Sequence, residues 1–122
     1  MIAKIKNLYG SFGDAIVERI EYVPIGSNTS GKLLSVYLKC LNWKTEEWEK
    51  VKLNFIDVTH FQYSDCKVIQ SAVVFEAMIM QNERGIVVDF FPVQVDGLGK
   101  LEEDPMSSFL IRCKSISYEV LA

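Results

Sequence analysis

Histidine is almost absent from this 122-residue chain, which has a single one, His60. A catalytic triad, a two-histidine zinc site or a histidine cage would all have to be built around that one residue. Cysteine is scarce too. Its three copies, Cys40, Cys66 and Cys113, are odd in number, far apart and without CxxC spacing. That pattern argues against a disulfide framework or a zinc site and for reduced thiols. No apolar stretch approaches the roughly 20 residues that a membrane helix needs, so no membrane partner is expected. The first ten residues carry Lys4 and Lys6 but no run of about seven apolar residues, so they do not read as a secretory signal, and a cytoplasmic location is expected. Positive charge is not in excess either: thirteen basic against sixteen acidic residues give a net charge of −3. A cationic stripe of the kind that tracks a phosphate backbone is missing, so nucleic acid is not an expected partner. Gly97 and Gly99 follow a strand-like run, but no helical pattern follows them and the phosphate-loop fingerprints are absent. No cofactor and no metal are expected.

What the chain does have is alternation. Leu34, Val36, Leu38 and Cys40 alternate with polar or half-polar neighbours, and Val51, Leu53 and Phe55 alternate with Lys50, Lys52 and Asn54. Side chains on a strand point alternately to opposite faces, so this period of two describes a half-buried sheet. The polar break over 41–47 is short enough to return the chain antiparallel. With 49% apolar and 24% charged residues the composition is globular, not disordered. The length suits one domain that buries about 65% of its unfolded surface.

Further elements follow from the same pattern. Ile2, Ile5, Leu8 and Tyr9 have helical spacing, too short for an isolated helix and suited to a turn packed on a sheet. Residues 10–14 break it, and a strand is expected over 15–23. Pro24 and the Gly26-to-Gly31 stretch then read as a hairpin loop. After Phe55 the alternation slips, which predicts a bulge or strand end near Ile56. The stretch 68–80 is ambiguous between strand and helix, and 82–85 reads as a hairpin turn before a strand over 86–93. Residues 94–105 look irregular. A last strand over 108–120 changes parity near Ser115, predicting a second bulge or bend. The expected fold is mainly β or α+β: an antiparallel β-sandwich or a curled, barrel-like sheet with a short N-terminal helical turn.

Candidate functional residues are few. His60 closes the third strand on this reading and is the natural backbone- or solvent-bonded strand-end histidine. Cys66 shares its connection, so a Cys–His pair is conceivable, with Asp57 beside it, but no orienting group or oxyanion donors have recognisable spacing. Cys40 and Cys113 fall in alternating tracts, where cysteine is usually a small core residue. Asp14, Glu18, Asp57, Asp89 and the run Glu102, Glu103, Asp104 are the carboxylates available for acid–base work; the run precedes Pro105 and reads as a solvated turn or an interaction patch. Aromatic residues gather around the second and third strands: Tyr37, Trp43, Trp48, Phe61 and Tyr63. Trp43 in the turn suits a lid on one end of the core, or a partner anchor if exposed.

The succession Phe12, Gly13, Asp14, Ala15, Ile16 into 17–22, then 33–41, 51–58 and Phe109 to Cys113, resembles small bacterial β-rich domains of unknown function. Some of these are similar to immunity proteins of polymorphic-toxin systems. The resemblance implies an all-β or α+β fold and a toxin-neutralising protein partner. Those families carry a histidine before the aspartate where this chain has Gly13, so no functional residue is carried over. Two functions are therefore expected to compete. In the first, a non-enzymatic binding domain, an immunity-type inhibitor included, engages a protein through Trp43 or Tyr63 with Glu46, Glu47 and Glu102 to Asp104 pairing to basic residues. In the second, a small-ligand-binding or hydrolytic domain uses a cleft at Asp57, His60 and Cys66. A homodimer through sheet edges is a third reading, opposed by Lys50 and Lys52, since edge lysines discourage strand pairing.

Overall fold

The structure, a computed structural model, describes residues 1–23, 32–64, 74, 76–95, 100–103 and 107–121. The alternating tracts form strands where the period of two places them. After the helix α1 (Ile2–Tyr9) come β1 (Ile16–Val23), β2 (Leu33–Asn42), β3 (Glu47–Ile56) and β4 (His60–Tyr63). Then follow β5 (Met78–Asn82), β6 (Gly85–Asp89), β7 (Val93–Val95), β8 (Lys100–Glu102), β9 (Phe109–Cys113) and β10 (Ser115–Leu121). One antiparallel sheet has the order β1-β2-β3-β10 and the other β4-β9-β6-β5, with β7 and β8 forming a separate ribbon. The fold is mainly β, and its sheets do not close into a barrel. Of the two expected architectures it is the sandwich.

The two parity slips read from the sequence mark one corner. β3 ends at Ile56, Asp57 takes a left-handed φ of 56°, and β4 begins at His60 in the other sheet. Alongside, β9 ends at Cys113 and β10 begins at Ser115, with only Lys114 between them. Ser115 pairs with Ile56 in the first sheet and His60 with Arg112 in the second. Between these rungs Lys114 N–H donates to Ile56 O (3.1 Å) and Thr59 N–H to Arg112 O (2.8 Å). The strand pair β3–β4 and β10–β9 is thus one antiparallel ribbon bent through both sheets, the way sandwich corners are made.

The core lies between the sheets. Leu34, Val36, Leu38 and Cys40 of β2 and Val51, Leu53 and Phe55 of β3 face Ile79, Val88, Phe109, Ile111 and Cys113 of the second sheet. Phe109 is its aromatic centre, with Phe90 stacked on it and Phe61 and Tyr63 presenting ring edges. α1 packs against β2 and β10 and adds Ile5 and Tyr9 to the same core. The expected turn at 82–85 is the two-residue connection of β5 and β6. Gly85 sits there at φ 130°, where a Cβ would lie 2.6 Å from Cys113 O.

Three expectations change. His60 does not end the third strand but opens β4. Residues 94–105 are not wholly irregular, because β7 and β8 pair within that stretch. Lys50 and Lys52 do not guard an edge, because β3 lies between β2 and β10. They belong instead to the outward face of the first sheet. There Arg19 and Lys52 lie over the Tyr37 ring at 5.2 and 5.6 Å, and Lys39 stands directly opposite Lys50. The Gly26-to-Gly31 loop, residues 68–73, Gly97 with Gly99, Pro105, Cys66 and Asp104 lie outside the described residues.

Candidate functional site

The expected partner-binding residues divide between two places. Trp43, Glu46 and Glu47 belong to the β2–β3 turn, while Tyr63 is on β4 and Glu102 and Glu103 end the β8 segment. The turn and His60 lie at opposite ends of β3, roughly 30 Å apart along the strand.

The turn is a rigid structure. Asn42 is buried at its base, where its Oδ1 accepts from the backbone N–H of Lys44 and Thr45 (2.9 and 3.2 Å) and its Nδ2 donates to Glu49 (3.0 Å). Glu49 points inward between the sheet and α1, and its other carboxylate oxygen accepts from the Tyr9 hydroxyl (2.9 Å). Burial, followed by the bond to Glu49, holds the Tyr9 phenol well above its ordinary pKa. Trp43 is half exposed and outside the core cluster, and it is held by two bonds: its backbone N–H donates to Leu8 O and its indole N–H to Tyr9 O. The ring lies against Gly10, where a Cβ would meet Nε1 at 3.1 Å and the left-handed φ of 60° also favours glycine. Trp43 is 56% exposed, and Trp48, opposite Leu41 on the outward face, is 50% exposed. Glu46 and Glu47 are exposed between them along the chain, and Glu46 holds a left-handed φ of 59°.

At the second place His60 and Glu103, drawn from rival readings, come together. With Gln62, Leu110 and Arg112 they line an open pocket of about 350 Å³ on the outward face of the second sheet. Strand pairing dictates this: His60 is opposite Arg112 and Gln62 opposite Leu110, with Phe61 turned to the core and Tyr63, half exposed, edge-on to Phe109. The Arg112 guanidinium donates to the Glu103 carboxylate. Gln62 Nε2 donates to Ser107 O (2.6 Å), which leaves its Oε1 facing His60 Nε2 at 3.3 Å. An amide oxygen only accepts, so the His60 proton sits on Nε2 in this arrangement.

This outward face is unusually buried. Val87, Asp89 and Leu110 are 4%, 0% and 1% exposed, and Met78 is nearly as covered. Asp89 accepts from the Ser107 hydroxyl (2.5 Å) and from Phe91 N–H (2.9 Å). Glu103 and Ser107 are therefore each bonded to a side chain of this face. Sequence reading missed Gln62, Leu110, Arg112 and Ser107 as site residues. The available signal was the unbroken apolar runs 86–88 and 109–111, which indicate strands covered on both faces.

Asp57 sits at the corner, away from the pocket lining, and the pairing expected between His60 and Cys66 falls outside the described residues. Cys40 and Cys113 are buried, and burial pushes their thiols up to about 12 and about 11. Neither supplies a thiolate near neutral pH. Among the described residues no three His, Cys, Asp or Glu side chains converge as metal ligands, and no helix is long and apolar enough to cross a membrane. Compared with protein families, with curated proteins and with solved structures, the chain finds no match in any of the three.

Proposed function

We propose that this chain is a non-enzymatic protein-binding domain that docks through the β2–β3 turn. The observation that carries the reading is half-exposed Trp43 on a hydrogen-bonded turn, with half-exposed Trp48 just beyond it in β3. Trp43 and Trp48 flank the exposed carboxylates of Glu46 and Glu47. Tryptophan dominates interface hot spots, and a partner gains most from side chains whose ordering cost is already met in the free protein. The bonds that Asn42 Oδ1 and Tyr9 O accept meet that cost for the turn and for Trp43. Glu46 and Glu47 suit a partner with basic residues at its rim, which steers encounter. Glu103 is spoken for by Arg112, so the acidic contribution rests on the turn and on exposed Glu102.

The finer reading is an immunity-type inhibitor acting in the cytoplasm, occluding a basic toxin domain. The strand succession resembling such proteins supports it, and Cys40 and Cys113, in no disulfide among the described residues, suit the cytoplasm. The test is co-purification of a tagged full chain beside Trp48→Ala, whose ring lies on the surface. A stoichiometric protein partner should be retained by the parent and weakened about 30-fold in the variant, the scale of a hot-spot loss. A partner bound equally by both, or a partnerless monomer, refutes this assignment.

A further inference from the structure

The outward face of the second sheet invites a different ligand from the turn, and its chemistry stands whether or not the turn binds a protein. An outward sheet face is normally solvated. Here Leu110 is 1% exposed on that face, at the floor of an opening that has both a cation and polar groups in its walls. About 350 Å³ falls in the lower range of small-molecule sites, which combine an apolar surface with a few fixed polar groups.

Three features define the chemistry of the occupant. Arg112 rises from β9, a central strand paired on both sides, so its backbone is firmly placed. One terminal nitrogen donates to Glu103; the rest of its five-donor fork has no side-chain acceptor among the described residues. A planar fork of this kind matches a carboxylate or phosphate in two-point geometry. His60 stands across the rung from Arg112, its ring oriented by Gln62, which Ser107 O holds in turn. Lastly, the group now on Arg112 is itself a carboxylate, carried by the chain segment that follows β8 and not by the sheet.

We propose that this pocket binds a small carboxylate with an apolar body, the ligand's carboxylate taking the place on Arg112 that Glu103 holds. Leu110 beneath is already buried, so the apolar body lies against the His60 ring and the stem of Arg112, with Gln62 at the side. Glu103 is then an internal competitor that keeps the guanidinium paired when the pocket is empty. Its displacement costs affinity, so binding is weak in the parent and tightens when the competitor is removed.

The test uses the isotope-labelled full chain in ¹H–¹⁵N correlation spectra, titrated separately with sodium benzoate, inorganic phosphate and benzylamine. Benzoate should give saturable shifts at the amides of His60, Gln62 and Arg112, with benzylamine giving none. Glu103→Gln, which keeps shape and loses the charge, should tighten benzoate binding about tenfold, the worth of one charge-assisted hydrogen bond. Arg112→Lys keeps the charge but not the fork and should weaken it by a similar factor. If the Arg112 variant loses its spectral dispersion, His60→Ala gives the second reading and should also weaken binding. No saturable shift with benzoate overturns the site. Shifts with phosphate alone overturn the apolar-bodied ligand, and unchanged affinity in Glu103→Gln overturns the competitor role.

Discussion

Replacing Glu46 by glycine should make the protein more stable and its proposed surface worse. Glu46 ends the β2–β3 turn at φ 59°, its N–H donating to Asn42 O at 2.8 Å. The left-handed region crowds the Cβ of an L-residue at a cost of about 1–2 kcal/mol, which glycine avoids. Glycine also has more unfolded-state freedom to lose, about 0.5–1 kcal/mol. The difference leaves a net gain of about 0.5–1 kcal/mol. For a chain of this length that is a rise of roughly 2–6 °C in Tm. Glu46 is exposed and no described partner holds its side chain, so little else is lost on folding. Urea and thermal unfolding of the parent, Glu46→Gly and Glu46→Ala separate the effects. Alanine removes the carboxylate and keeps the strain, so it should match the parent in stability while sharing the glycine variant's loss of partner affinity. A glycine variant no more stable than the alanine variant refutes the strain argument. Full affinity in both refutes the role given to Glu46.

The remaining predictions concern the sheet and its thiols. Lys39 and Lys50 stand directly opposite on the outward face, between Ile16 and Leu121, so neither has a counter-charge on its own rung. Lys50→Glu should therefore stabilise the fold by about 0.5–1 kcal/mol in low salt, less in high salt, and an unchanged urea midpoint would contradict it. Cys40 and Cys113 have thiols raised from an ordinary 9.0 to about 12 and about 11, chiefly by burial. Above pH 9 the unfolded chain gives up those protons first, so stability is whole below pH 9 and falls as pH rises toward the folded values. The slope is about 1.4 kcal/mol per pH unit for each thiol. Cys113→Ala should shift stability at all pH values yet show the shallower alkaline slope; an identical slope would refute the assignment.

Much of the fold was legible because burial on one face of a strand writes a period of two into the sequence. β2 and β3 carry it over ten residues each, and their boundaries fall close to where alternation begins and ends. The slips at Ile56 and Ser115 were legible as local events. Seeing them as one corner required knowing that β3 pairs with β10 and β4 with β9, a long-range fact no local pattern holds. β7 and β8 are three residues each, too short for any period to show. β4, four residues long and separated from Ile56 by three residues, was absorbed into the strand before it.

The candidate sites divide along the same physical line. Trp43, Glu46 and Glu47 could be named because a tryptophan and acids in a turn are informative wherever the turn lies. Arg112 could not: in an alternating strand an arginine between Ile111 and Cys113 reads as an ordinary outward residue, and Glu103 reads as part of a solvated acidic loop. Each acquires meaning only through the other, because Glu103, just after β8, is bonded to Arg112 on that outward face. The one local trace of that meeting is the loss of alternation in β6 and β9, where Val87 and Leu110 are buried on the outward face. Hydrophobic residues at outward positions of otherwise polar-facing strands mark where another segment lies over a sheet. Polar residues at the border of such a patch, here Arg112 beside Leu110 along β9 and His60 across from it, are the ones to ask about a ligand.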